Sequence, residues 1–142
     1  MRWDASRAIA EKILEKEANY ILALKGNQSA LCEDVQEFVK EQKDRGFCDT
    51  KVTTDTTTDG DHGRIETRKV TVIHNVDWLQ ERHAWPGLKA VIVVDSERVI
   101  GARIEQETRY YITSLDADAR FLGSMVRGHW AIENSLLLRF WI

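Results

Sequence analysis

The chain has 142 residues, of which 43% are hydrophobic and 30% are charged, and its formal net charge at pH 7 is −3. This composition is typical of one globular domain with a sizeable core, and it excludes a disordered chain. A net charge of −3 provides no overall basic field, so any contact with nucleic acid has to come from a local cluster of arginine and lysine.

The sequence contains no signal for membrane insertion or secretion. No apolar run reaches the roughly 18 to 20 residues that a membrane helix needs, and the first residues lack the apolar stretch of a signal peptide. Cys32 and Cys48 are not arranged as a CxxC motif. We therefore predict a cytoplasmic protein with reduced cysteines and no membrane contact.

The first third of the chain predicts a helix, a strand and a second helix. Apolar residues at helical spacing indicate an amphipathic helix over about residues 8–17. Residues 20–24 are apolar, which is typical of a strand buried on both faces. A second helix is predicted to begin near Asn27 or Ser29 and to end by Gly46, and its apolar side carries Leu31, Val35, Phe38, Val39 and Gln42.

The middle of the chain predicts β-structure. Residues 51–58 are rich in β-branched threonine and residues 59–63 form a strong turn signal, so we expect a hairpin whose second strand covers about residues 64–74. Further strands are predicted at 88–95, 101–107 and 108–114. Ser114 or Asp116 can cap a final helix, whose apolar stripe is Phe121, Leu122, Met125, Val126, His129, Ile132 and Leu136.

One carboxylate in the predicted final helix stands beside aromatic and basic side chains. His129 lies one helical turn before Glu133, so the two side chains can form a hydrogen bond. Hard cations such as Mg²⁺ prefer carboxylate oxygens, and Glu133 could therefore bind a metal ion. A surface glutamate in an ordinary i, i+4 pair explains the same spacing.

A row of polar residues follows the predicted turn. His62, Arg64, Glu66 and Arg68 share one parity and should project from one face of a strand. The arginines could contact phosphates while Glu66 holds one guanidinium in place, although charge pairs that only decorate a sheet are the alternative. Lys25 could meet a phosphate at a strand end, but a turn explains its surroundings nearly as well. The sequence shows no zinc-site spacing and no glycine-rich phosphate loop.

Six segments, in chain order, resemble bacterial insertion-sequence transposases of the DDE type, specifically the H-repeat-associated group: residues 7–13, 20–28, 61–68, 77–80 with 85–88, 109–115 and 127–134. The last of them contains a His-Trp-Ala-Ile-Glu-Asn run similar to the one that supplies this group's third metal-binding carboxylate. The resemblance implies Glu133 as a catalytic metal ligand and Mg²⁺ as the cofactor. It also implies transposon-end DNA as the partner, with Arg127 and His129 as further DNA contacts.

The fold implied by the resemblance is α+β, a partial RNase H-like catalytic core interrupted by a β-rich insertion. On this map residues 1–28 hold a core helix and strand, residues 29–115 form the insertion, and residues 116–142 contain the acid-bearing helix. The family's second acid would fall near Met1, its first acid has no counterpart, and the tail after Leu136 leaves the family pattern. We hypothesise a frameshift there, and downstream DNA that restores no family frame would reject it.

We therefore expect a transposase fragment that is truncated at both ends. Its family performs metal-dependent DNA cleavage and strand transfer, but we expect this chain to be inactive alone. Exposed core surface should favour self-association. The alternatives are a non-catalytic module that binds DNA or protein, and an unrelated nuclease.

Overall fold

The structure, a computed structural model, describes residues 11–12, 14–15, 19–24, 30–48, 50–83, 85, 87–128 and 137–139. The elements follow the order β1 (Ile21–Leu24), α1 (Ala30–Asp44), β2 (Val52–Asp61), β3 (Arg64–Ile73), α2 (Asp77–His83), β4 (Ala90–Ile100), β5 (Arg103–Thr113), α3 (Ala119–Gly128) and β6 (Leu137–Arg139). Residues 11, 12, 14 and 15 are helical, in agreement with the predicted N-terminal helix. The predicted α+β class is confirmed.

The six described strands form one sheet in the order β2-β3-β4-β5-β1-β6. Every pair is antiparallel, and β2 to β5 are neighbours in the sheet as they are in the chain. Strand β1 instead pairs with β5, so that Ile21 lies opposite Thr113 and Leu24 lies opposite Tyr110. The RNase H-like core implied by the resemblance stays a prediction.

The hairpin of β2 and β3 closes through a two-residue turn. Asp61 pairs with Arg64, which leaves only His62 and Gly63 outside the ladder. Both have positive φ, 47° and 76°, as a type I′ turn requires. The predicted turn at residues 59–63 is therefore too long. Residues 59–61 continue β2 because a type I′ turn matches the twist of the strands and lets the ladder run up to it.

The hairpin of β4 and β5 is also longer than the sequence predicted. Ile100 pairs with Arg103, and Gly101 between them has a φ of 60°. A glycine with positive φ at the first central position is typical of a type II′ turn. The two short strands predicted at 101–107 and 108–114 are thus one continuous strand, β5.

Helices α1 and α2 cover one face of the sheet. The buried residues of α1 follow the helical period and confirm the predicted helix, with Leu31, Val35, Val39 and Gln42 on its apolar side as predicted. The predicted Phe38 is only partly buried, and Cys32, which was not predicted, is buried. Leu79 of α2 belongs to the same cluster. On the sheet side this cluster contains Leu22, Ile73, Val91, Val93 and Ile112.

Helix α3 covers the opposite face. Its buried residues Ala119, Leu122 and Val126 pack against Ile21, Ala23, Val70, Val72, Ala90, Ile92, Val94 and Tyr111. Phe121, which the predicted stripe included, is 48% exposed. Ala119, Leu122 and Val126 are at positions i, i+3 and i+7 and therefore share one side of the helix, whereas Phe121 points away from that side. The sheet therefore lies between two helical layers.

The helix α3 begins with a different cap from the one predicted. Asp118 Oδ1 accepts a hydrogen bond from the backbone N–H of Phe121 at 2.9 Å, so Asp118 is the N-cap rather than Ser114 or Asp116. The Ser114 hydroxyl instead accepts the backbone N–H of Tyr20 at 2.9 Å. The described helix ends at Gly128, and the predicted continuation over 129–136 lies outside the described residues.

Strand β1 is buried from both sides, as its apolar run predicted. Ile21 and Ala23 belong to the α3 cluster, while Tyr20 and Leu22 belong to the α1 cluster. The hydroxyl of Thr113 donates to the carbonyl of Tyr20 at 2.9 Å, which adds a side-chain bond to the pairing with β5. Burial raises the pKa of the Tyr20 hydroxyl well above its ordinary value.

The two cysteines lie in different environments. Cys32 is buried in α1 and Cys48 is exposed, and neither forms a disulfide. Burial raises the pKa of the Cys32 thiol, and the charge of Glu33 raises it further. Among the helices that the structure describes, none has the length and apolar character to cross a membrane.

Candidate nucleic-acid interface

Four of the predicted site residues lie in the described part of the chain. His62, Arg64, Arg68 and Arg127 are placed by β3, its turn and α3. Lys25, His129 and Glu133 lie outside the described residues. The predicted roles of these three side chains therefore stay predictions.

Arg64, Glu66 and Arg68 occupy one face of β3, as their spacing predicted. The same series continues into Val70 and Val72, which pack under α3. His62 does not belong to the row. It occupies the turn with a φ of 47°, and side chains alternate between the two faces only along an extended backbone.

The sheet extends beyond the described part of α3 and forms the floor of an open cleft of about 440 Å³. Strands β3, β4 and β5 make the floor, and Gly123, Val126 and Arg127 of α3 make a wall. Among the described residues, four arginines and three glutamates line the cleft: Arg68, Arg98, Arg109, Arg127, Glu66, Glu105 and Glu107. The cleft therefore brings four cations together on one face of the sheet.

Glu66 holds two arginines of neighbouring strands. Its Oε2 accepts a hydrogen bond from Nη2 of Arg98 at 3.2 Å and lies 3.7 Å from Nη2 of Arg68. The register explains the first contact, since Glu66 on β3 is directly opposite Arg98 on β4. These pairs are partly exposed, so each contributes little to stability, and their main effect is to orient the guanidinium groups.

The remaining arginines of the cleft are also held by acids. Arg109 Nε lies 3.3 Å from Glu107 Oε1 on the same strand. Arg127 Nη2 donates to Asp59 Oδ2 at 2.6 Å, which connects the end of α3 to the edge strand β2. Every cation of the cleft is therefore oriented by a carboxylate, and the site is mixed in charge rather than a strongly positive basin.

Sequence reasoning missed Arg98 and Arg109. Each belongs to an alternating polar series at the outer end of its strand, like the row on β3, and Glu105, Glu107 and Arg109 repeat that pattern on β5. This alternation of polar residues was a sequence signal that could have predicted both arginines. The registers of β3 with β4 and of β4 with β5 were needed to show that the three series share one cleft.

No three His, Cys, Asp or Glu side chains are grouped closely enough to hold a metal ion within the part of the chain that the structure describes. Glu133, the predicted metal ligand, is outside that part. The arginine cleft is thus the described feature with the clearest chemistry. Guanidinium groups present several N–H donors in a plane, which suits phosphate or carboxylate oxygens.

The chain is similar to several curated bacterial proteins. It is 37% identical over 133 residues to "Putative transposase YncI" of Escherichia coli O157:H7, a match that covers 90% of this chain and 33% of the relative. It is 34% identical over 134 residues to "H repeat-associated putative transposase YhhI" of Escherichia coli K12, covering 90% of this chain and 34% of the relative. Over 90% of its length the chain is therefore homologous to proteins named as putative transposases, one of which is H repeat-associated.

A third relative has no functional name. An "Uncharacterized protein in dhlA 3'region" of Xanthobacter autotrophicus is 43% identical over 115 residues, which are 79% of this chain and 37% of the relative. The chain spans about a third of the length of the curated relatives that it matches. No family model matches the chain, and neither does any solved structure.

Proposed function

We propose that this chain is part of a DNA transposase and that its arginine-lined cleft contacts the DNA backbone. The concentration of arginines on one face of a protein with a net charge of −3 carries this proposal. A protein without an overall basic field can bind DNA only where cations cluster locally. The homology to transposases supports DNA as the polyanion that such a cluster would meet.

The proposed DNA contacts begin with the described residues Arg68 and Arg127 in the cleft. Arg64 precedes Glu66 on the same face of β3, and His62 lies in the turn at the outer end of the strand. Lys25 and His129 complete the proposed set. Most contacts of this kind are made with phosphates, so they fix the position of DNA without reading its sequence.

We assign to Glu133 the role of one of three carboxylates that bind Mg²⁺. The support for this role is the homology together with the His-Trp-Ala-Ile-Glu-Asn run around Glu133. Carboxylate oxygens are the ligands that a hard cation prefers. Mg²⁺ bound by such a set would supply activation of the attacking hydroxyl and stabilisation of the leaving oxygen at a phosphodiester. In this proposal the chain on its own carries too few ligands to be active.

The rest of the proposed organisation follows the family. Residues 1–28 and 116–142 belong to an RNase H-like core, residues 29–115 form its insertion, and the protein acts in the cytoplasm, where DNA is accessible. An alternative is that the chain is a non-catalytic DNA- or protein-binding module derived from a transposase. One observation favours it: the described lining of the cleft already brings four arginines together between Glu66 and Arg127.

DNA binding tests the proposal directly. We expect the chain to bind a labelled duplex that carries a terminal repeat, and we expect Arg64→Ala with Arg68→Ala to weaken binding about tenfold or more, as measured by fluorescence anisotropy. The same double variant should reduce the slope of log K against log salt by about two, because each arginine that neutralises a phosphate releases roughly one counterion.

A matched control removes the same charge from another part of the protein. Lys40 is exposed on α1, on the other side of the sheet, and Arg45 is exposed just after that helix. Lys40→Ala with Arg45→Ala should leave the affinity nearly unchanged. Equal losses in the two double variants would show that only total charge matters, and they would contradict a DNA contact in the cleft.

A further inference from the structure

Two arginines of the cleft each keep one buried donor without an acceptor. The Nε atoms of Arg68 and Arg98 are buried, and neither has a hydrogen-bond partner among the described residues. Most buried N–H groups in folded proteins are satisfied, and an unsatisfied one points to a missing acceptor such as a water or a ligand. Two of them in one cleft, on adjacent strands, point to a shared acceptor.

The backbone places a hydroxyl next to each of these two arginines. Ser96 on β4 is the cross-strand neighbour of Arg68 on β3, and Arg98 is the next residue of β4 on the same face. Glu66 contacts Nη2 of both guanidinium groups, so it orients them and leaves Nε of each for another acceptor. The side chains of Arg68 and Arg98 are 30% and 44% exposed and can rotate toward an incoming oxygen.

We infer that this part of the cleft is a binding site for a single phosphate group of DNA. In this site Nε of Arg68, Nε of Arg98 and the hydroxyl of Ser96 donate to phosphate oxygens. The inference names the donor atoms of the DNA contact proposed above and rests on that proposal for the identity of the ligand. The three glutamates of the lining neutralise most of the arginine charge. This balance suits a monoanionic phosphodiester better than a multiply charged phosphate.

The geometry also separates this site from a general basic surface. Arg103 lies on the same face of the sheet, near the outer end of β5, and its side chain is 69% exposed. It is paired with Glu105 at 3.6 Å, but it is not part of the cleft lining. Arg103 is therefore a matched control for arginine charge on this face without the proposed site.

The Nε–Hε groups of arginine can be observed directly by NMR in the ¹⁵N-labelled chain. Dimethyl phosphate, a phosphodiester without sugar or base, is the probe, and sodium chloride at equal ionic strength is the blank. We expect dimethyl phosphate to cause saturable chemical-shift changes of the Arg68 and Arg98 Nε signals and no change of the Arg103 signal. The Arg68 and Arg98 signals are assigned by their disappearance in Arg68→Lys and Arg98→Lys. Unchanged Arg68 and Arg98 signals at saturating duplex DNA would overturn the inference.

Lysine substitutions provide a second measurement. Arg98→Lys keeps the charge and a partner for Glu66 but lacks the Nε donor, so it should weaken DNA binding about tenfold. Arg103→Lys should bind as the unchanged chain does. Thermal unfolding of each variant reports whether the fold is retained, and the NMR shifts of the unmodified protein remain decisive if a variant does not fold.

The two proposals can fail separately. In one outcome the duplex binds and Arg64→Ala with Arg68→Ala weakens this binding, whereas Arg98→Lys does not weaken it and the Nε signals do not shift. That outcome refutes the phosphate site and leaves the proposed DNA contact standing. If dimethyl phosphate moves both Nε signals but no duplex binds, the phosphate-binding chemistry is supported and the proposed function is refuted.

Discussion

Asp34 joins the two helices that cover one face of the sheet through a single carboxylate oxygen. Its Oδ2 lies 2.7 Å from Nε2 of His83 and 3.3 Å from Nη1 of Arg82, both on α2. The guanidinium of Arg82 also lies 5.6 Å from the ring centroid of Trp78, whose ring meets Phe38 of α1 edge-on at 4.9 Å. Polar and aromatic side chains outside the cleft thus connect α1 to α2.

The Asp34 contact should make stability depend on pH. Burial raises the pKa of the carboxyl, but the hydrogen bonds from His83 and Arg82 and their charges outweigh it and hold the pKa below 3.8. A group whose pKa is lowered by folding stabilises the protein above its unfolded value, and this contribution is lost as the pH falls through the folded value. We expect Asp34→Asn to lower the unfolding free energy by about 1 kcal/mol at neutral pH.

Urea unfolding from neutral pH down through the acid range checks this prediction. The difference between the unchanged chain and Asp34→Asn should shrink once the pH falls below 3.8, the ordinary value of the carboxyl. Glu37→Gln, an exposed neutralisation on the same helix, is the control and should have little effect. A difference that stays constant with pH would contradict the assigned cause.

At the scale of elements, α3 lies unusually close to strand β3. A Cβ atom added at Gly123 would come within 2.9 Å of Cγ2 of Val70, which is closer than real contacts allow. Valine is branched at Cβ and has few rotamers with which to move away. The absence of a side chain at Gly123 therefore determines how closely α3, the wall of the cleft, approaches β3 in its floor.

We expect Gly123→Ala to destabilise the protein by up to about 2 kcal/mol. Overpacking against Val70 costs roughly 1 to 3 kcal/mol, and the higher helix propensity of alanine offsets about 1 kcal/mol of it. Chemical unfolding measures the change, and Val70→Ala combined with Gly123→Ala should show favourable coupling. Ser124→Ala, at an exposed position of the same helix, is the control. A more stable Gly123→Ala variant would show that α3 can shift freely.

The outer ends of the hairpins also expose apolar residues on the face opposite the cleft. Ile65 is 50% exposed and Ile104 is 62% exposed, and both lie opposite Val99 in the ladder. The neighbouring edge strand β2 carries Asp55, a charge of the kind that discourages pairing between sheet edges. Self-association through exposed apolar surface stays a prediction.

Across the whole molecule, the layers explain why the cleft lies where it does. Strand β1 and the inner halves of β3, β4 and β5 are covered on both faces by helices. The outer halves extend past α3, where polar side chains replace the valines of the core. Arg127 and Asp59 connect the last turn of α3 to the edge of this extension. Among the residues that the structure describes, the cleft is the boundary between the part of the sheet that α3 covers and the part that it does not.

The proposed division between DNA contact and catalysis predicts different results for two substitutions. Glu133→Gln should leave DNA affinity unchanged, whereas Arg64→Ala with Arg68→Ala should reduce it. The proposed chemistry requires three carboxylate ligands, and in the proposal this chain supplies too few of them. We therefore expect no Mg²⁺-dependent cleavage by this chain alone, with or without the substitution at Glu133. Gel analysis of a labelled terminal-repeat duplex is the measurement. Cleavage by the unchanged chain that Glu133→Gln abolishes would instead establish an active enzyme.

The predictions that succeeded depend on local periodicity. The helical spacing of Leu31, Val35 and Val39 predicted the buried side of α1, and the shared parity of Arg64 and Arg68 predicted their common face of β3. Periodicity of this kind is a property of neighbouring residues and needs no knowledge of the rest of the chain. The predicted extents of turns and caps were less accurate, because several adjacent residues can fill those roles equally well.

The sequence by itself determined the α+β class, the two-sided burial of β1 and the alternation of charge on the outer strands. Only the tertiary structure decided which strands lie side by side and in which register. A shift of one residue would move Arg98 to the other face and away from Glu66. Register depends on the turns and on packing against α3 together, so the cleft forms only when residues far apart in the chain pack at once.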